Sequence, residues 1–172
     1  MPAQNFTQVC HGQLDRVYGF FAYTLSSGAD AEDLTQQTFE RAMRAWGRYD
    51  GSRASPSTWL LAIARNLLID HLRAAGAAQT LGDEDLEGMP APPDRPSLGL
   101  DPDLERALAQ LAPREREVIA LRFGGDLTGG EIAELTGLST ANVQQILSRS
   151  LRRMRECLER EQAGAERHAG AR

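Results

Sequence analysis

The sequence predicts an all-α protein: two small helical domains joined by a flexible acidic linker, the C-terminal one containing a helix-turn-helix. Three observations carry this. Hydrophobic residues make up 41% of the 172-residue chain but aromatics only 6%, so the core must be built from Leu, Ala, Ile and Val, a mixture that favours helices. Apolar residues recur at steps of three and four on both sides of a central stretch that has no period. The charge is also segregated: the formal total is −5, yet residues 1–74 are balanced, residues 75–112 carry −6 and residues 113–172 carry +1. The boundaries that follow are residues 1–75 for the first domain, 76–100 for the linker and 101–160 for the second domain. Residues 161–172 read as a short disordered tail.

The first block starts with "FTQVCHGQLDRVYGFFAYTL", where Phe6, Val9, Val17, Phe20, Phe21 and Leu25 share a broad face. Ser26-Ser27-Gly28 breaks it, and Asp30 supplies a cap oxygen for "AEDLTQQTFERAMRAW". In that helix Leu34, Thr38, Phe39, Ala42, Met43 and Trp46 form the inner stripe, with Glu32, Asp33, Gln36, Gln37 and Glu40 outside it. Ser55 caps the next helix and Pro56 takes its first position. That helix is apolar nearly all round from Trp59 to Ala64. Beyond it, Arg65, Asn66, Asp70 and Arg73 fall within one polar window, and Asp70 is spaced to pair with Arg73.

The linker is dense in Gly, Pro and acids. Residues 75–100 would reach roughly 85–90 Å fully extended and span about 30 Å when relaxed.

The second block opens with Asp101-Pro102, a cap followed by a helix-starting proline. Further on, Thr128 and Glu131 have capping-box spacing. Gly137 falls where a helix end wants a left-handed residue, and Ser139 or Thr140 starts the next helix. Two helices across so short a turn form a helix-turn-helix. On the second of them Val143, Leu147, Leu151, Met154 and Leu158 form a packing stripe. Thr140, Ala141, Gln144, Gln145, Ser148, Arg149 and Arg152 lie off that stripe. Residues 139–155 hold four arginines and no acid. Amides can bond base edges in a major groove, and arginines bond guanine or phosphate.

Several classes are excluded. There is no run of about 18 apolar residues to insert in a membrane and no basic, apolar leader, so the expected location is the cytoplasm. Cys10 and Cys157 with His11, His71 and His168 lack metal-ligand spacing. No phosphate-binding loop or activated nucleophile is visible, so neither an enzyme nor a cofactor is expected.

Both blocks, in this order, resemble the extracytoplasmic-function (ECF) sigma factors of bacterial RNA polymerase. "DAEDLTQQTFERAMRAW" resembles the polymerase-binding segment of sigma domain 2. "PSTWLLAIARNLLIDHLR" is similar to the helix that engages the −10 promoter element. "LAPREREVIALRF…EIAELTGLSTANVQQILSRSLRRMR" looks like sigma domain 4, which reads the −35 element. The resemblance implies core-polymerase binding through Asp33, Leu34, Gln36, Gln37 and Phe39. It implies −10 contacts from Arg65, Asn66 and Arg73. The −35 contacts would come from Thr140, Gln144, Gln145, Ser148, Arg149 and Arg152. The family usually has an acid at the position of Gln37, and often Lys or Arg followed by Ser where Gln144 and Gln145 stand. Implied partners are core RNA polymerase, promoter DNA and, as a further candidate, an anti-sigma factor, with the free chain a monomer. Two readings compete: a stand-alone helix-turn-helix regulator, which leaves the first block unexplained, and a sigma-like decoy that binds polymerase without opening promoters.

Overall fold

The computed structural model describes residues 5–76 and 99–169, with side chains to residue 160. Most of the expected linker, residues 77–98, lies outside the described residues. Among those described, the regular structure is helical: α1 (Phe6–His11), α2 (Leu14–Thr24), α3 (Gly28–Ala45) and α4 (Pro56–Ala74) in the first block. The second block contains α5 (Pro102–Ala109), α6 (Pro113–Ile119), a π turn (Ala120–Gly124), α7 (Gly129–Thr136) and α8 (Thr140–Ala169).

In the first block α2, α3 and α4 pack on one another. Val17, Phe20 and Phe21 of α2 meet Leu34 and Ala42 of α3 and Leu60, Leu61, Ala64, Leu67 and Leu68 of α4 in one buried cluster. Each large aliphatic or aromatic side chain so buried contributes roughly 1.5–3 kcal/mol. Ser55 caps α4, its side chain accepting from the Thr58 N–H, with Pro56 in the first turn. Between α3 and α4 a ring cluster pins the loop: Trp46 stacks on Tyr49 at 5.0 Å, and Trp59 lies 4.9 Å from Tyr49. The Tyr49 hydroxyl donates to the Ala54 carbonyl at 2.9 Å, and Asp50 accepts from the Ser52 N–H and hydroxyl. Trp59 therefore packs, as its apolar surroundings suggested.

In the second block Asp101 caps α5. Arg116 reaches back to the carbonyls of Leu108 and Leu111, at 3.0 and 3.4 Å, closing the orphan end of α5. Burial there pushes its guanidinium below its ordinary pKa. Thr128 and Glu131 form the expected capping box, and Gly137 ends α7 at φ 74°. Ser139 provides the α8 cap, accepting from the Asn142 N–H at 3.2 Å.

Four expectations change. The α3 cap is Ser27, whose side chain accepts from the Asp30 N–H; a cap serves a donor two or three residues on, and Asp30 sits inside the first turn. Met43 is 59% exposed, because the α3 stripe turns inward through Thr35 and Thr38, whose hydroxyls bond the Ala31 and Leu34 carbonyls. On α8 the buried stripe runs Val143, Ile146, Ser150, Met154, leaving Leu151 41% exposed. The backbone of α8 is helical to Ala169, through most of the segment expected to be a disordered tail.

The two blocks lie against each other. α2 runs along the π turn, and α4 touches α7. One buried cluster is continuous from Phe20 and Leu61 to Leu121, Leu127 and Ile132. A second, smaller cluster joins Leu108, Leu111, Ile119 and Met154 of the C-terminal block, with Tyr23 of α2 packed against it.

Candidate nucleic-acid and polymerase interface

Helix α8 is held by its buried stripe and by α5, α6 and α7 packing on it, and the residues off that stripe face outward. Thr140, Ala141, Gln144, Gln145, Ser148, Arg149 and Arg152 are all exposed. Gln144 lies over the start of α7, where a Cβ on Gly129 would stand 3.7 Å from its amide nitrogen. The arginines beyond are not loose. Glu115, 5% exposed, accepts from the Ala112 N–H at 3.1 Å and thereby starts α6. The same carboxylate accepts from Arg149 Nε at 3.1 Å and from Arg153 at 2.9 Å. One buried acid thus fixes the start of α6 and two arginines of α8. Sequence reading passed over Glu115; the signal was an acid inside the run that becomes the core of α6.

The polar window of α4 is present but divided. Asn66, Asp70 and Arg73 are exposed, and Asp70 pairs with Arg73 at 3.9 Å, as its spacing suggested, and with Arg41 at 4.0 Å. Arg65 is different. Its side chain is 18% exposed and its Nε donates to Glu117 of α6 at 2.6 Å, with Glu117 1% exposed. Glu117 also holds Arg114 at 3.0 Å.

Of the α3 residues assigned to polymerase, Asp33 and Gln36 are exposed. Gln37 donates to Asp33 at 2.7 Å and Gln36 to Glu40 at 2.9 Å, a row of amide–acid pairs one turn apart. Leu34 is 4% exposed and Phe39 is packed against the core, so these two shape the helix beneath the polar row. No cluster of His, Cys, Asp and Glu among the described residues could hold a metal ion. No described helix is long and apolar enough to cross a membrane.

A helix-turn-helix with an acid-free exposed face, preceded by a second helical block with its own polar helix, defines a two-part DNA-binding protein. The family comparisons specify it further. Residues 12–78 match sigma-70 region 2 and residues 107–156 match sigma-70 region 4. The RNA polymerase sigma factor CarQ of Myxococcus xanthus is 36% identical over 83% of this chain and 83% of its own length. The ECF RNA polymerase sigma factor RpoE of Cereibacter sphaeroides is 33% identical over 82% of this chain and 79% of its own. BldN of Streptomyces coelicolor, also an ECF sigma factor, is 30% identical over 84% of this chain, which spans 56% of BldN's length. Among solved structures, the sigma factor RpoE in complex with the anti-sigma factor NepR, from Bartonella quintana, superposes with a TM-score of 0.69 at 25% identity. That match covers 90% of this chain and 96% of RpoE. CnrH, solved with the cytosolic domain of CnrY, shares the fold at a TM-score of 0.58, 21% identity and coverage of 90% of this chain and 87% of CnrH. The chain belongs to the sigma-70 family, among its ECF RNA polymerase sigma factors.

Proposed function

We propose that the chain directs initiation as a dissociable promoter-specificity subunit: α3 docks on core RNA polymerase, α4 engages the −10 element and α8 reads the −35 element. The observation that supports the reading best is the exposed, acid-free face of α8 directly after the Gly137 turn, in a chain that also carries region 2. Asp33, Gln36 and Gln37 are the polar contacts offered to polymerase. Arg65, Asn66 and Arg73 are the −10 residues, and Thr140, Gln144, Gln145, Ser148, Arg149 and Arg152 the −35 residues. Bond formation belongs to polymerase, and the chain works in the cytoplasm as a monomer when free. An anti-sigma factor is a natural partner, since the structural relatives RpoE and CnrH were solved with NepR and CnrY.

The test is run-off transcription by core polymerase with and without the chain on fragmented DNA of its own genome. New starts sharing two upstream motifs are expected. Gln144→Ala and Arg152→Ala should each weaken use of those promoters by about 1–3 kcal/mol if they read bases. Polymerase binding without new starts would instead make the chain a decoy.

A further inference from the structure

We propose, resting on the assignment of α4 to the −10 element, that this surface continues onto α3, where Arg41 is a further contact to a promoter phosphate. The sequence pattern gives no hint of it, because Arg41 stands on the helix assigned to polymerase.

Arg41 lies apart from the outer face of α3. Leu34 and Thr38 come seven and three residues before it, and both are buried. Arg41 therefore continues the flank of α3 that meets α4. The outer polar row follows a different line. There Gln37 donates to Asp33 and Gln36 to Glu40, and Arg44 pairs with Glu40 of its own helix at 4.0 Å. Arg41 instead reaches across to α4, its Nη1 4.0 Å from Oδ2 of Asp70. The other oxygen of that carboxylate faces Arg73, with Oδ1 3.9 Å from Nη1. One acid thus holds a guanidinium from each helix, on the face that also exposes Asn66 one turn away.

These pairs leave both arginines available. Separations of 3.9 and 4.0 Å are too long for hydrogen bonds, so the guanidinium donors can turn to an incoming oxygen. The side chains are 51% exposed for Arg41 and 67% for Arg73, and exposed pairs of this kind add little stability. Arg65, by contrast, is largely buried and donates to Glu117 at 2.6 Å. Beside Asn66 and Asp70 the accessible cations are therefore Arg73 and Arg41. Asp70 alone would repel DNA, but with its two arginines the trio carries a net positive charge. Two neighbouring guanidinium groups favour phosphate, whose oxygens accept charge-assisted bonds. Such contacts fix position on the duplex and read no sequence.

The test is the salt dependence of promoter binding by holoenzyme, assembled from core polymerase and the full chain, on a fragment whose start is mapped by run-off transcription. Each phosphate contact removed makes the slope of log K against log salt shallower by about one. Arg41→Ala and Arg73→Ala should each show that change. Arg41→Lys, which keeps the charge, and Asp70→Asn, which keeps both arginines, should hold the wild-type slope. Affinity for core polymerase should be the same in wild type and Arg41→Ala. An Arg41 that merely ties α3 to α4 would make Asp70→Asn behave as Arg41→Ala does, with the slope unmoved in both, and that result overturns the proposal. A loss of core affinity in Arg41→Ala at an unchanged slope would overturn it too, by placing the residue on the polymerase side. If Arg73→Ala flattens the slope and Arg41→Ala does not, the Arg41 contact alone fails; if neither does, the assignment of α4 fails with it. A wild-type chain that forms no promoter complex with polymerase would sink the sigma reading and the Arg41 contact together.

Discussion

Ser150 is the one buried side-chain polar atom left without a hydrogen-bond partner among the described residues. A buried hydroxyl that makes no bond carries its desolvation penalty uncompensated, about 1–3 kcal/mol. Ser150→Ala should therefore raise unfolding free energy by roughly 0.5–2 kcal/mol, read from urea denaturation. Glu115 is the opposite case, with every oxygen engaged. Glu115→Gln keeps its shape but removes the charge that holds Arg149 and Arg153. Those arginines are about half exposed, which discounts the ion pairs, so the expected loss is about 1–2 kcal/mol, with weaker −35 binding as the two arginines come loose. Glu131 gives a pH test. Its pKa is held below the ordinary 4.5, first by the Thr128 N–H and then by the Thr128 and Thr58 hydroxyls. A lowered folded pKa adds stability that is present above the unfolded value and is lost as pH falls through the folded one. The stability gap between wild type and Glu131→Gln should thus be full near neutrality and shrink as pH falls below the ordinary carboxylate range and through the lowered folded value; a gap that persists in strong acid would contradict it. Residue roles of this kind were only half legible in the sequence. The Thr128–Glu131 box follows from spacing alone, but the burial of Glu115 and Glu117 was not legible, because besides local partners three residues back each takes an arginine 34 to 52 positions away.

At the scale of single helices the sequence was most informative where a local rule decides the outcome. Pro56 and Pro102 after a capping oxygen, and Gly137 at a left-handed helix end, need no distant contact. The two stripe misses, Met43 on α3 and Leu151 on α8, have one cause: which side of a helix is buried depends on its neighbours. On α8 the stripe through Leu151 and the stripe through Ile146 and Ser150 are both reasonable from periodicity, and the packing of α5, α6 and α7 selects the second. Helix α7 shows a local rule set aside, since it begins with two glycines. Gly129 lies close to Gln144, while a Cβ on Gly130 would meet nothing within 4 Å. Gly130→Ala should accordingly stabilise the protein by about 0.5–1 kcal/mol through a less flexible unfolded chain. A thermal melt shifted downward would mean that the first turn of α7 needs glycine for a reason of its own.

For the molecule as a whole, the net charge of −5 sets how tightly it can hold DNA unaided. Binding to duplex is dominated by phosphate neutralisation, and its salt slope counts the phosphates. The exposed arginines of α8 supply the positive charge, but Glu115 already takes a share of Arg149 and Arg153, and Arg65 is spent on Glu117. About three phosphates are left to neutralise, so log K should fall with log salt at a slope near −3. Holoenzyme, in which polymerase adds its own basic surface, should show a steeper slope and far tighter binding to the same promoter. Fluorescence anisotropy with a labelled −35 duplex across a salt series measures both. A slope of −6 or more for the isolated chain would mean that its own surface carries the electrostatics, contrary to the division of labour expected of a specificity subunit. Matching slopes with and without polymerase would say the same, because charge supplied by the partner must appear in the counterions it releases.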